Sequence, residues 1–134
     1  MTPVLVDSNV ILDVATNDAA WAGWSEAALA RAAADAVLVI NPIIYAEVSV
    51  GYTRIEDLEA ALGEGFRRDP LPWEAAFLAG KCFVTYRRRG GARRSPLPDF
   101  YIGAHAAIAG FRLLTRDVGR YRTFFPRLTL ICPA

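Results

Sequence analysis

The sequence is poor in the residues that build disulfide frameworks, zinc sites and histidine-dependent catalytic sites. It contains two cysteines, Cys82 and Cys132, which form no Cys-x-x-Cys pair. His105 is the only histidine, so no Ser-His-Asp or Cys-His arrangement stands out. These scarcities argue against a disulfide-stabilised scaffold and against a zinc centre.

Long apolar runs are also missing. No uncharged apolar stretch approaches the roughly 20 residues that a membrane-spanning helix needs. The opening segment carries no basic residues ahead of a long apolar core, so we expect no signal peptide and a cytoplasmic protein.

The length of 134 residues predicts one domain over 1–134.

Lysine is almost absent from a chain that is nearly neutral overall. The formal net charge is +1, from 15 basic and 14 acidic residues, and Lys81 is the only lysine. A balance so close to zero argues against a protein that coats nucleic acid non-specifically. The other basic residues are arginines, which suit phosphate because the planar guanidinium donates two parallel hydrogen bonds.

Short apolar runs alternate with helix-like segments along the chain. The run Val4–Val6 stops at Asp7, after which Ser8 or Asn9 is expected to cap a helix. Alternating strands and helices predict an α/β fold with a mainly parallel sheet and helices on both faces. The predicted strands are 4–6, 37–40, 66–71 as the weakest, 112–115 and 128–131, and the predicted helices begin near 8, 21, 41, 54, 72 and 98.

Three acidic residues are expected to lie at one edge of this sheet. Asp7 follows the first strand, and Asp117 follows the strand that ends near Thr115. Asp99 lies in the first turn of a helix, after Pro98, and helix starts face the same edge. Ligands bind outside the carboxyl ends of parallel strands. Taken singly, each aspartate also fits a turn or a helix start, and Asp13, farther along the first helix, is expected to be exposed.

Glu47 is the most informative of the acidic residues. It lies three and four residues after Ile44 and Ile43, so it is expected to point toward the apolar face that also includes Val50. An unpaired charge is costly there, which predicts a cationic partner.

Carboxylates that converge at one site repel one another unless a cation joins them. Mg²⁺ and Mn²⁺ prefer such oxygen ligands, and they activate water and stabilise negative charge on phosphate. The predicted catalytic and metal-binding residues are Asp7, Glu47, Asp99 and Asp117. The pattern therefore predicts metal-dependent phosphodiester hydrolysis.

The ordered motifs resemble those of PIN-domain nucleases, specifically VapC-type toxins of bacterial and archaeal toxin–antitoxin pairs. The similar stretches are 6–12, 45–47, 98–106, 113–117 and 121–126. They occur in the same order and at ordinary spacing, so the resemblance extends over essentially the whole chain. The resemblance implies a three-layer α/β/α sandwich, a Mg²⁺- or Mn²⁺-dependent endoribonuclease, a VapB-like antitoxin and a homodimer. It also places Asn9 and Thr115 at positions that support the acidic site by hydrogen bonding.

The basic segment 87–94 precedes Asp99 and is either a solvated loop or a phosphate-binding loop that steers RNA. The candidate RNA-binding side chains are Arg87, Arg88, Arg89, Arg93 and Arg94.

Two other functions remain open from the sequence alone. One is a domain that binds RNA or a partner without cleaving. The other is a haloacid-dehalogenase-type phosphatase, which needs a second acid two residues after Asp7 and a positioned lysine. Position 9 is Asn and Lys81 lies in no phosphate-loop motif, which disfavours the phosphatase.

Overall fold

The computed structural model describes residues 2–134 and places one sheet of five short strands at the centre. The strands are β1 Val4–Val6, β2 Leu38–Ile40, β3 Phe66–Arg68, β4 Arg112–Leu114 and β5 Leu130–Ile131. The helices are α1 Ser8–Ala15, α2 Ala22–Asp35, α3 Pro42–Ser49, α4 Ile55–Leu62, α5 Trp73–Arg88, α6 Pro98–Ala109 and α7 Gly119–Phe124. Within these residues, no helix combines the length and apolar character that crossing a membrane requires.

All strand pairs are parallel, and the strand order is β3-β2-β1-β4-β5. From β1 the chain continues to β2 and then β3 at one edge of the sheet. It then crosses back to β4, on the opposite side of β1, and continues to β5 at the other edge. Because such crossovers are right-handed, the two directions put helices on opposite faces of the sheet. The predicted α/β/α sandwich is confirmed, with an entirely parallel rather than mainly parallel sheet.

The strand order reverses at β1, which lies between β2 and β4. Every residue of β1 is fully buried, so the sheet core surrounds it. At its carboxyl end the Asp7 amide donates to the Leu114 carbonyl of β4 at 2.9 Å. Reversal points of this kind open a crevice at the carboxyl ends of the strands, where α/β proteins bind ligands.

Two details of the helices differ from the prediction. Asp7, not Ser8 or Asn9, caps α1, because its carboxylate accepts a hydrogen bond from the Ser8 amide. Helix α7 was not predicted, since six residues are too few to show a helical pattern of apolar positions.

Helix α7 is docked on α6 by aromatic packing. The rings of Phe100 and Phe124 meet edge to face, with centroids 4.9 Å apart. The Phe125 ring lies so close to Gly103 that any Cβ at this position would overlap it. This close approach brings the start of α6 and the buried face of α7 to the same edge of the sheet.

Candidate active site

Asp7 is the most buried of the four predicted acidic residues, with 3% of its surface exposed. Its Oδ1 accepts the Ser8 amide at 2.8 Å. Its Oδ2 accepts the hydroxyls of Thr115 and Tyr121, both at 2.9 Å, and the Asn9 amide at 3.4 Å. Burial raises the pKa of Asp7, and the hydroxyl hydrogen bonds oppose that rise. A carboxylate this deep is stable only because these donors replace water.

Glu47 reaches the same crevice from α3 and is half-buried. Its Oε1 accepts the Ser8 hydroxyl at 2.9 Å. Burial is the main reason that its pKa is raised, and the charges of Asp7 and Asp99 add to the effect. The predicted apolar face was wrong in one respect, because Val50 is 89% exposed. Its side-chain partner in the protein is this neutral hydroxyl, and the cationic partner expected from the sequence stays a prediction.

Asp99 lies in the first turn of α6 and is also half-buried. Its Oδ2 lies 3.4 Å from Nη1 of Arg120, and its Oδ1 accepts the Tyr121 hydroxyl at 3.5 Å. Burial raises the pKa of Asp99 and the charge of Asp117 adds to the rise, whereas Arg120 opposes it. Asp99 therefore favours its protonated form more than an exposed aspartate does.

Asp117 lies at the exposed rim of the crevice. Its amide donates to the Thr115 hydroxyl oxygen at 3.2 Å, and its own Oδ1 accepts the Gly119 amide at 3.5 Å. Of the four carboxylates it has the freest access to solvent.

Asn9 and Thr115 both contact Asp7, at the positions where the resemblance placed supporting residues. The Asn9 amide group also donates to the Thr115 hydroxyl oxygen at 3.2 Å, and its carbonyl accepts the Arg116 amide at 3.3 Å. These bonds tie the ends of β1 and β4 together across the crevice.

Three residues that contact the acids were not predicted as part of the site: Ser8, Arg120 and Tyr121. Tyr121 is 1% exposed and contacts both Asp7 and Asp99. Burial, with the nearby charges of Asp7 and Asp99, raises its pKa well above the usual range, so its hydroxyl stays a proton donor. Tyr121 opens the family-like stretch 121–126 and lies one helical turn after Asp117, but its contact with the acids could be predicted only once α7 was recognised.

Asp13 is buried, contrary to the expectation that it is exposed. It accepts two hydrogen bonds from the Arg116 guanidinium, at 2.7 and 3.0 Å, and one from the Ser25 hydroxyl at 2.8 Å. This ion pair joins α1, α2 and the segment after β4. The Asp13 carboxylate therefore has a structural role and is not part of the acidic crevice.

The acidic crevice suits a hard divalent cation in its chemistry. Its side chains offer carboxylate oxygens, the ligands that Mg²⁺ and Mn²⁺ prefer. The only histidine, His105, is buried and its Nδ1 lies 2.9 Å from the Asn41 amide nitrogen. In residues 2–134 no three acidic, histidine or cysteine side chains converge closely enough to surround an ion. A bound cation would neutralise the mutual repulsion of these carboxylates.

The basic segment 87–94 divides into structural and solvent-facing arginines. Arg87 donates to the carbonyls of Gly91 and Arg93 at 3.1 and 3.0 Å, and Arg89 stacks over the Phe124 ring. The other three side chains are exposed and form no ion pair among the residues described: Arg88, Arg93 and Arg94.

A family model places the chain among known proteins. The model of the PIN domain matches residues 4–124. The chain belongs to the PIN domain family. This membership confirms the resemblance seen in the sequence. A search of curated protein sequences found no significant match to this PIN domain.

Several solved structures share the fold of this PIN domain at low sequence identity. VapBC2 from Rickettsia felis, bound to a promoter DNA fragment, aligns with a TM-score of 0.74 and 16% identity over 98% of both chains. VapBC-1 from nontypeable Haemophilus influenzae aligns at 0.71 and 20% over 96% of both. VapC20 from Mycobacterium tuberculosis, described as a sarcin–ricin loop cleaving toxin, aligns at 0.55 and 17% over 81% of this chain and 85% of that chain.

Asp99→Asn is expected to raise the unfolding free energy of the metal-free protein at neutral pH. Because the folded state holds the Asp99 proton more tightly, the stability from this group is complete below its ordinary pKa of 3.8 and is lost as pH rises through the raised pKa. A neutral amide avoids that loss. Urea unfolding in EDTA at several pH values measures the difference, which should vanish in acid.

Asp69→Asn is the control for this substitution, because Asp69 accepts two hydrogen bonds from Arg67 and its loss should not stabilise the fold. A lower unfolding free energy for Asp99→Asn at neutral pH would show that Arg120 outweighs the effects of burial and repulsion.

Proposed function

We propose that this PIN domain is a metal-dependent endoribonuclease of the VapC type. The observation that carries the proposal is the crevice itself, where hydrogen bonds from shared neighbours connect the buried or half-buried carboxylates of Asp7, Glu47 and Asp99 and burial raises their pKa values. Natural folds tolerate such repulsion mainly where function requires it. Two residues connect the carboxylates. Ser8 donates its amide to Asp7 and its hydroxyl to Glu47, and the Tyr121 hydroxyl contacts Asp7 and Asp99.

The proposed roles follow from position and burial. The principal ligands of Mg²⁺ or Mn²⁺ would be Asp7, Asp99 and Asp117. Glu47 would bind the cation directly or through a water molecule, or it would orient the water that attacks the phosphate. When bound, such a cation activates water and stabilises negative charge on phosphate. Thr115 and Asn9 hold the Asp7 carboxylate in one orientation. Protons compete with the cation for these carboxylates, and burial raises their pKa values, so cation affinity should fall as pH is lowered.

RNA as the substrate rests on two supports. One is the relative described as a toxin that cleaves the sarcin–ricin loop. The other is the basic segment that leads into Asp99, because a site with several carboxylates needs nearby positive charge to attract a polyanion. Arg88, Arg93 and Arg94 are the side chains that remain available for phosphate.

Asp99→Asn and Asp117→Asn should each reduce Mn²⁺-dependent cleavage of labelled RNA by about a hundredfold or more, since each removes a charged ligand. Cleavage is measured by gel electrophoresis, with EDTA to remove the metal. Asp57→Asn is the matched control, because Asp57 is exposed in the first turn of α4 and outside the crevice.

Undiminished cleavage by the Asp99→Asn variant, or full cleavage in EDTA, would overturn the assignment. RNA binding by the wild-type chain without cleavage and without carboxylate-dependent Mn²⁺ binding would instead favour a binding module.

The combined substitution Arg93→Ala and Arg94→Ala should weaken RNA binding while leaving kcat within about twofold, because the arginines attract substrate without touching the acidic crevice. The slope of log affinity against log salt should become shallower by about one for each phosphate that the variant no longer binds. Arg54→Ala is the control, since Arg54 is equally exposed but pairs with Glu56. An unchanged RNA affinity and salt slope would assign the segment to the solvated-loop interpretation.

A VapB-like antitoxin is proposed as the inhibiting partner, because several structural relatives are VapBC or toxin–antitoxin complexes. If the neighbouring gene encodes a short DNA-binding protein, its coexpression with this chain should give a stable complex whose RNA cleavage is lower than that of the chain alone. Equal cleavage by the complex and the free chain would contradict inhibition. Sedimentation of the free chain tests the homodimer that the resemblance implies.

A further inference from the structure

The hydrogen bonds to Asp7 are unevenly divided between its two oxygens. Oδ2 receives three donors, from Thr115, Tyr121 and Asn9, and so has little remaining acceptor capacity. Oδ1 receives one short bond, from the Ser8 amide, and a long 3.5 Å contact from the Ser8 hydroxyl. Oδ1 is therefore the oxygen with more capacity left for a ligand. The orientation of this carboxylate is set by the groups that hold Oδ2.

Tyr121 differs from the other donors to Asp7 because its hydroxyl also lies within 3.5 Å of Asp99. The two aspartates come from separate elements, the end of β1 and the start of α6. The hydroxyl is closer to Asp7, at 2.9 Å, and donates its proton chiefly there. The buried hydroxyl therefore satisfies Asp7 and lies between the two carboxylates, within reach of Asp99.

Packing alone does not account for a tyrosine at this position. The neighbouring aromatic residues that dock α7 on α6 are phenylalanines: Phe100, Phe124 and Phe125. A phenylalanine at 121 would fill the same space without burying a polar atom, which carries a cost unless it is hydrogen-bonded. The hydroxyl is directed at the two carboxylates and at no other described group.

We propose that Tyr121 is a positioning residue that holds the carboxylates of Asp7 and Asp99 side by side for a divalent cation. The inference rests on the proposed metal-dependent function and adds a specific residue to it. Groups that orient metal ligands through hydrogen bonds set the affinity of a site, and their loss commonly weakens it by roughly ten- to a hundredfold. In this proposal Tyr121 would act through the two carboxylates and would not itself be a ligand.

Tyr121→Phe is expected to weaken Mn²⁺ binding by about tenfold or more, measured by isothermal titration calorimetry on the full chain. The ring is retained, so circular dichroism should match that of the wild type. Tyr45→Phe is the matched control: the Tyr45 hydroxyl donates to the Glu59 carboxylate at 2.7 Å, away from the crevice. Its substitution removes the same chemical group and should leave the Mn²⁺ affinity unchanged.

A merely structural role would lower the unfolding midpoint of Tyr121→Phe but leave its Mn²⁺ affinity at the wild-type value. That outcome overturns the proposal, and tighter Mn²⁺ binding overturns it as well, because the hydroxyl would then compete with the cation. If the variant is partly unfolded, the Mn²⁺-induced shift of its urea midpoint still reports the affinity of the folded state. A wild-type chain that binds no Mn²⁺ would instead overturn the metal-dependent function, and this inference with it.

Discussion

The burial of the Asp7 carboxylate at the boundary between β1 and β4 is the constraint on which the rest of the site depends. A charge in that position is stable only when several donors replace its missing hydration. The fold supplies them from separate parts of the chain: Ser8 from α1, Thr115 after β4 and Tyr121 from α7. The donors in turn fix where α1 begins, how the ends of the two strands are joined and where α7 docks.

The carboxylates in this crevice repel one another. Burial raises the pKa values of Asp7, Glu47 and Asp99, and the charges of neighbouring carboxylates add to each rise, with Asp117 acting on Asp99. A fold selected for stability alone would place neutral residues here. The arrangement makes sense if a cation supplies the missing positive charge, which is the link between this unfavourable cluster and the proposed hydrolysis of a phosphodiester.

The ion pair between Asp13 and Arg116 shows how closely structural and functional acids are intermixed. Both Asp13 and Asp7 are on or beside α1 and both are 3% exposed. Asp13 has a guanidinium that neutralises it, whereas Asp7 has only neutral donors. Sequence spacing could not separate the two, because the difference lies in which side chain arrives from the segment after β4.

The sequence by itself determined the α/β class, the carboxyl-edge placement of Asp7 and Asp117, and the family, because strand ends, helix starts and ordered motifs are local features. The cap of α1, the hydroxyl partner of Glu47 and the existence of α7 were decided only in three dimensions. Each depends on contacts between residues far apart in the chain, such as Tyr121 with Asp7, which no local pattern encodes. The four acidic residues could thus be predicted from the sequence, whereas the groups that hold them in place could not.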